Sequence, residues 1–171
     1  RLRCDWSSDV CSSDLPLPSV FLSIVIPVYN EQARIGGTLE QVIGFLNGWD
    51  RTWEVVIADD GSTDDSALLI EDFISGSSGV RLLSLPHRGK GWAVMKGMLA
   101  AKGQYRLLCD ADLSVPIEQV ERLLPPQVDG VDVALGSREA PGARRIGEPL
   151  RRHLMGRVYN ILVRLDRKSV V

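Results

Sequence analysis

Two carboxylates stand one residue apart in "CDADLSVP", residues 109–116, directly after the apolar run "YRLL". Asp110 and Asp112 at that spacing have two possible uses. They form a solvated turn, or they hold something positive. Residues i and i+2 of a strand point to the same side, so a strand that is just ending can present both to one cation. Oxygen donors suit a hard divalent ion, Mg²⁺ or Mn²⁺, which takes one or two carboxylates and adds phosphate oxygens of a substrate. Without a counter-ion, two such neighbours repel and one pKa rises.

The elements that must position this pair follow a regular alternation. "FLSIVIPV", "WEVVIADDGS", "VRLLSL", "YRLLCD" and "VDVALGS" read as five short strands. Between them, "RIGGTLEQVIGFLNGW" has helical spacing, with Ile35, Leu39, Val42, Ile43 and Leu46 on one side. "SALLIEDFIS" reads as a helix capped by Asp64 or Asp65, and "GKGWAVMKGMLAA" as a helix opened by Gly. "IEQVERLL" follows Pro116, a favoured first-turn residue, and "EPLRRHLMGRVYNILVRL" is the longest helix. Trp92 and Met95 are expected in the core, and Trp49 and Trp53 are expected to shield the sheet edge.

Short, continuously apolar strands alternating with helices imply an α/β fold: a Rossmann-like, mostly parallel sheet with helices on both faces. Ligands of such sheets bind beyond the carboxyl ends of the strands. Those ends read "YNE", "DDGS", "HRGK", "DAD" and "GSR". A stable fold alone does not require acid at three of them.

The totals narrow the classes. With 171 residues, 44% hydrophobic and 25% charged, the chain has the composition of a single globular domain. No apolar run approaches the roughly 20 residues needed to span a bilayer. Three Cys do not make a disulfide framework, and Cys109 in its apolar strand reads as a buried thiol. There is no G-x-G-x-x-G after the first strand, no P-loop, no G-x-S-x-G and no Cys/His cluster for zinc. Residues 1–137 carry 11 Lys/Arg against 19 Asp/Glu, and residues 138–171 carry 9 against 3. The basic end either meets an anionic partner or packs on the acidic body.

With the strand ends in order, the sequence resembles family 2 glycosyltransferases of the GT-A fold over residues 20–165. "SIVIPVYNE", "VVIADDGSTDDS" and "CDADLSVP" carry the likeness. "RGKGWAVMKGMLAAKGQYRLLCDADLS" and "GSREAPGARRIGEPLRRHLMGRVYNILVRL" resemble the polyprenyl-phosphate glycosyltransferases, and the second stretch is nearer the dolichyl-phosphate β-glucosyltransferase branch than the mannosyl branch. The resemblance implies a nucleotide-sugar donor, a polyprenyl phosphate acceptor and a cytoplasmic enzyme peripheral to the membrane. Pro27, Tyr29 and Glu31 would line the nucleoside pocket, and Asp59 and Asp60 would meet base and ribose. Lys90 would lie near the donor. Asp110 and Asp112 would bind the metal and through it the diphosphate, with the Ala111 backbone close by. Arg138 would approach phosphate, where a guanidinium fork suits bidentate contact. Arg152 would hold the lipid phosphate.

The chain departs from the pattern at three places. His87 stands where relatives often have Asn, and Gly156 where the mannosyl branch has Ser. The family's later D-T-Q-C-G-F-K-like segment is absent, so the chain reads as a donor-binding part with its C-terminal portion missing. Residues 1–15, with "SSD" twice, resemble a translated sequencing adapter, and residues 166–171 have a similar look. The domain is therefore expected over residues 16–165.

A lipid phosphate is anionic at neutral pH and needs no general base, unlike a sugar hydroxyl. The enzyme's task reduces to positioning and charge stabilisation. The resemblance implies a single inverting displacement. In the last helix, Leu150, Leu154, Val158, Ile161, Leu162 and Leu165 form a stripe, with Arg151, Arg152, Arg157 and Arg164 elsewhere. Such a helix lies at a membrane surface or packs on its own sheet. The rival readings are a transferase using GDP-mannose or another nucleotide sugar, one with a saccharide acceptor, a non-catalytic nucleotide-sugar-binding module and a receiver domain. A receiver would need Lys where Arg138 stands.

Overall fold

The computed structural model describes residues 19–136. The expected leader and tail, the helix expected over 148–165, Arg138, Arg152 and Gly156 lie outside the described residues. The described residues 19–129 form one compact unit, and a second begins at Gly130. All that follows concerns the first unit unless stated.

Strand β1 (Leu22–Val28), helix α1 (Ile35–Asn47), β2 (Trp53–Asp59), α2 (Ser66–Ser75), β3 (Val80–Ser84), α3 (Lys90–Ala100) and β4 (Tyr105–Leu108) follow in turn, and a 3₁₀ helix (Ile117–Leu123) closes the series. The sheet order is β3-β2-β1-β4, and every pairing is parallel. The chain steps outward from β1 to β3, then crosses back to place β4 on the other side of β1. That reversal makes the carboxyl ends of β1 and β4 a topological switch point.

All seven residues of β1 are buried, as expected of a central parallel strand covered on both faces. Its even positions, Leu22, Ile24, Ile26 and Val28, join the α1 stripe of Ile35, Leu39, Val42, Ile43 and Leu46 in one core, with Ile70 of α2. Val25 faces the other way, with Val56 and Ala101. Helix α3 approaches that face through its smallest residue. A Cβ on Gly97 would come within 2.4 Å of Val25 Cγ1, so only Gly lets the helix lie so near the sheet.

At the amino ends of the strands a buried carboxylate ties sheet and helix together. Glu54 accepts from Ser23 Oγ (2.6 Å), the Lys102 N–H (2.6 Å) and Arg81 Nε (3.1 Å). The Gly103 N–H in turn donates to Ser23 Oγ at 2.7 Å. Burial alone would raise the Glu54 pKa, but these donors outweigh it and hold it below its ordinary value.

Four expectations change. "VDVALGS" forms no strand over the described residues 131–136, where Val131, Val133 and Leu135 are exposed. Strand propensity is context-dependent and needs a partner's ladder to become a strand. "IEQVERLL" is a 3₁₀ rather than an α-helix. Its apolar residues Ile117, Val120 and Leu123 recur every third position, which matches three residues per turn, and Pro125 disfavours helix at Leu124. Met95 is exposed, because α3 turns Ala93 and Gly97 to the sheet instead. Trp53 opens the central strand β2 rather than shielding an edge, and packs against Gly79.

Candidate functional site

The carboxyl ends of the strands surround a cavity of about 260 Å³. Pro27, Val28, Tyr29 and Glu31 line it from the end of β1, and Asp110, Ala111 and Asp112 from beyond β4. Between them come Asp60 after β2 and His87, Gly89 and Lys90 at the entrance to α3. Seven of the expected site residues in the first unit are thus brought together with Asp60, on four separate strand ends. Asp59 is the exception.

Asp59 does not line the cavity. It is 4% exposed and accepts from the hydroxyl and N–H of Ser62, closing its own turn. Asp60 is buried too, but its two oxygens pin the entry to α3, accepting from the Arg88 N–H (3.0 Å) and the Gly89 N–H (2.8 Å). His87 Nδ1 lies 2.8 Å from Asp60 Oδ2. Burial would raise the Asp60 pKa; the two N–H bonds and His87 reverse the sign and lower it. The His87 ring stacks on Tyr29 with centroids 4.3 Å apart, forming a partly exposed aromatic wall. Gly61, at φ +73°, permits this arrangement: a Cβ there would sit 2.9 Å from the His87 backbone nitrogen.

The loops after β1 and β2 are sewn to each other. Asn30, at φ 54°, accepts from the Thr63 N–H (2.8 Å) while its own N–H donates to Ser62 Oγ (3.0 Å). The Glu31 N–H donates to Ser66 Oγ, and the Gln32 N–H to Asp64. Asp64 also accepts from the Ser66 N–H at the start of α2 (3.0 Å), so of the two expected caps it is the one whose side chain reaches the helix.

Asp110 and Asp112 stand in a turn past the end of β4 rather than on the strand itself. Lys90 Nζ donates to Asp110 Oδ1 at 2.8 Å. Ser114 donates to Asp112 Oδ1 through its N–H (2.9 Å) and hydroxyl (2.8 Å). The repulsion expected to raise one carboxyl pKa is overridden at Asp112. Its pKa is lowered by the Ser114 hydroxyl and N–H, with burial opposing and Arg34 and Lys90 assisting. Cys109 behaves as a buried thiol, its pKa pushed up to about 11 by burial and then by Asp110 and Asp112.

The donor set fits a hard divalent cation. Both carboxylates line one cavity, and among the described residues each has one oxygen outside these bonds. No group of three or more His, Cys, Asp or Glu able to hold a metal occurs among the described residues, so a cation here would complete its shell from water or a ligand. Sequence reasoning missed two contributors. Arg34 lines the cavity and bridges to Glu31 at 3.1 Å. Thr38 lies beneath Ala111; its signal was a polar residue on the apolar stripe of α1.

Residues 23–169 match the family described as Glycosyl transferase family 2, and the chain belongs to that family. Its parallel sheet with helices on both faces is a GT-A fold. Over 116 residues it is 39% identical to a dolichyl-phosphate beta-glucosyltransferase of Dictyostelium discoideum, covering 63% of this chain and 36% of that one. It is also 39% identical over 114 residues to an undecaprenyl-phosphate 4-deoxy-4-formamido-L-arabinose transferase of Aeromonas hydrophila subsp. hydrophila, covering 66% and 35%. The crystal structure of a mycobacterial protein matches with a TM-score of 0.50 and 29% identity, covering 67% of this chain and 38% of that one. The chain spans about a third of the length of these curated relatives. No helix among the described residues is long and apolar enough to cross a membrane.

Proposed function

We propose that the chain is the donor-binding part of a metal-assisted, inverting glycosyltransferase that moves a sugar, glucose from UDP-glucose, to a polyprenyl phosphate at a membrane surface. One observation carries the reading: Asp110 and Asp112 share a switch-point cavity with Tyr29, Asp60 and Lys90. Family membership supports the reaction class. The two relatives have different sugars in their names but share a polyprenyl phosphate, which supports the acceptor class more firmly than the sugar.

In this reading the nucleoside lies against the end of β1, by Pro27, Tyr29 and Glu31, and Asp60 is the nearer acid for an N–H of the base. Asp110 and Asp112 hold Mg²⁺ or Mn²⁺, which when bound neutralises charge on the departing diphosphate. Lys90 and Arg34 add positive charge at the cavity wall, and Arg138 and Arg152 are assigned to the phosphates of donor and acceptor. A phosphate acceptor is already ionised, which agrees with a site whose resources are charge and position.

Calorimetric titration with UDP, UDP-glucose and GDP, each with and without Mn²⁺, tests the proposal. The expected result is UDP binding strengthened about 100-fold by Mn²⁺, a gain lost in Asp112→Ala, which removes one of the two metal-binding carboxylates. Preference for GDP would move the donor to a guanosine sugar. Equal binding by the wild type and a folded Asp112→Ala would overturn the metal assignment.

A further inference from the structure

The two aspartates belong to a four-residue turn, Asp110–Ala111–Asp112–Leu113, closed by the Leu113 N–H donating to the Asp110 carbonyl at 3.1 Å. In any such turn the softest motion is rotation of the central peptide, which swings the carbonyl of the second residue to the opposite side and separates the common turn types. Here that peptide joins Ala111 to Asp112, so its orientation sets φ at Asp112 and with it the rotamers open to the Asp112 carboxylate.

One buried hydroxyl grips it. Thr38 Oγ1, on the inner face of α1, donates to the Ala111 carbonyl at 2.6 Å. Thr38 is 5% exposed and Ala111 6%. The same hydroxyl lies 3.1 Å from the Arg34 carbonyl one helical turn back, which holds the threonine side chain in place. A flipped peptide would leave the Ala111 oxygen without this donor and the Thr38 hydroxyl with only the longer contact to the Arg34 carbonyl, so the buried carbonyl carries the penalty. Leu113 sits at φ 45°, a conformation non-glycine residues avoid, so surrounding contacts must hold the turn in place.

We propose that Thr38 is the positioning residue of the metal site: it locks the Ala111–Asp112 peptide in the one orientation that turns both carboxylates to the cavity. The inference rests on the donor-site reading above and adds a residue to it. Thr38 touches neither metal nor nucleotide, and it acts through the turn. It also couples α1 to the site, because the helix that packs on β1 supplies the grip.

The test compares wild type, Thr38→Val, Thr38→Ser and Asp112→Ala in the full chain. Mn²⁺ affinity in the presence of UDP is read by electron paramagnetic resonance, UDP affinity without metal by calorimetry, and the Asp112 amide ¹⁵N shift by NMR in the metal-free protein. Val keeps the shape and loses the donor, and Ser keeps the donor. Thr38→Val is expected to weaken Mn²⁺ binding about 10-fold, in the range of outer partners of metal ligands, and to move the Asp112 shift. Metal-free UDP affinity should stay unchanged, which a general loosening of the fold would not allow. Thr38→Ser should match wild type in all three. Wild-type and Thr38→Val proteins that bind Mn²⁺ equally, both well above Asp112→Ala, would overturn the role of Thr38 and leave the donor site standing. A wild type no better than Asp112→Ala would overturn the metal site on which the proposal rests. If Thr38→Val loses its fold by circular dichroism, Thr38→Ser decides: wild-type Mn²⁺ affinity supports the grip, and weakened affinity in the folded Ser variant overturns it.

Discussion

Glu54 at the amino end of the sheet and the Asp110–Asp112 pair at its carboxyl end use acid in opposite ways. At the amino end, Glu54 is 7% exposed and receives hydrogen bonds from a hydroxyl, a backbone N–H and a guanidinium. At the carboxyl end, Asp110 is half exposed and paired to one exposed lysine, and Asp112 is held through one oxygen. A carboxylate with saturated oxygens is a staple. One held in place but left partly unbonded can receive a ligand. Asp110 and Asp112 are therefore distinguished by incompleteness of bonding, since Asp59 and Asp60 at the same end are buried and bonded much as Glu54 is.

Breaking the staple gives the largest effect. Glu54→Ala leaves Ser23, Arg81 and the Lys102 N–H without their acceptor, and is expected to cost about 3 kcal/mol in denaturant unfolding. If it is as cheap as a surface substitution, the distinction between the two ends fails.

The second effect is in pH. Glu54 has a folded pKa below its ordinary 4.5, so its stabilisation is complete above that value and is lost as pH falls through the folded pKa. Unfolding free energy should fall with pH below about 4.5, and Glu54→Gln should reduce that slope. A residual slope is expected from Asp60 and Asp112, which are lowered as well. An unaltered slope in Glu54→Gln would place the acid sensitivity elsewhere.

The smallest effect on stability belongs to the other end. Lys90 and Asp110 are 65% and 50% exposed, and Lys90→Met should change the unfolding free energy by less than about 0.5 kcal/mol. Its effect on UDP affinity with Mn²⁺ should be larger, about 10-fold, as expected for loss of a charged contact. A variant that is destabilised but binds normally would reverse the roles assigned to the two ends.

The sequence disclosed the alternation, because strands buried on both faces are uniformly apolar and α1 carries a stripe that proved wholly buried. It disclosed the rim for a related reason: acid after an apolar run is conspicuous. It hid what depends on distance between remote residues. Met95 looked like core by size, yet the sheet accepted Gly97, whose value lies in what it lacks. Asp59 and Asp60 are equal in sequence, and only the folding of the Ser62 turn and the α3 entrance separates them. Thr38 is one polar residue on an apolar stripe, and only the placing of Ala111, 73 positions away, against it gives it a partner.

The crossing that places β4 beside β1 also has a kinetic meaning. β1, β2 and β3 pair through successive crossovers, whereas the β1–β4 register joins Val25 to Leu108 across most of the domain. Contacts so remote are the slow ones to form, since the intervening chain must be ordered first. The cavity has no second wall until that strand docks. Metal-dependent nucleotide binding would therefore appear during refolding only with the last strand, and its time course would report the final step of assembly rather than the first collapse.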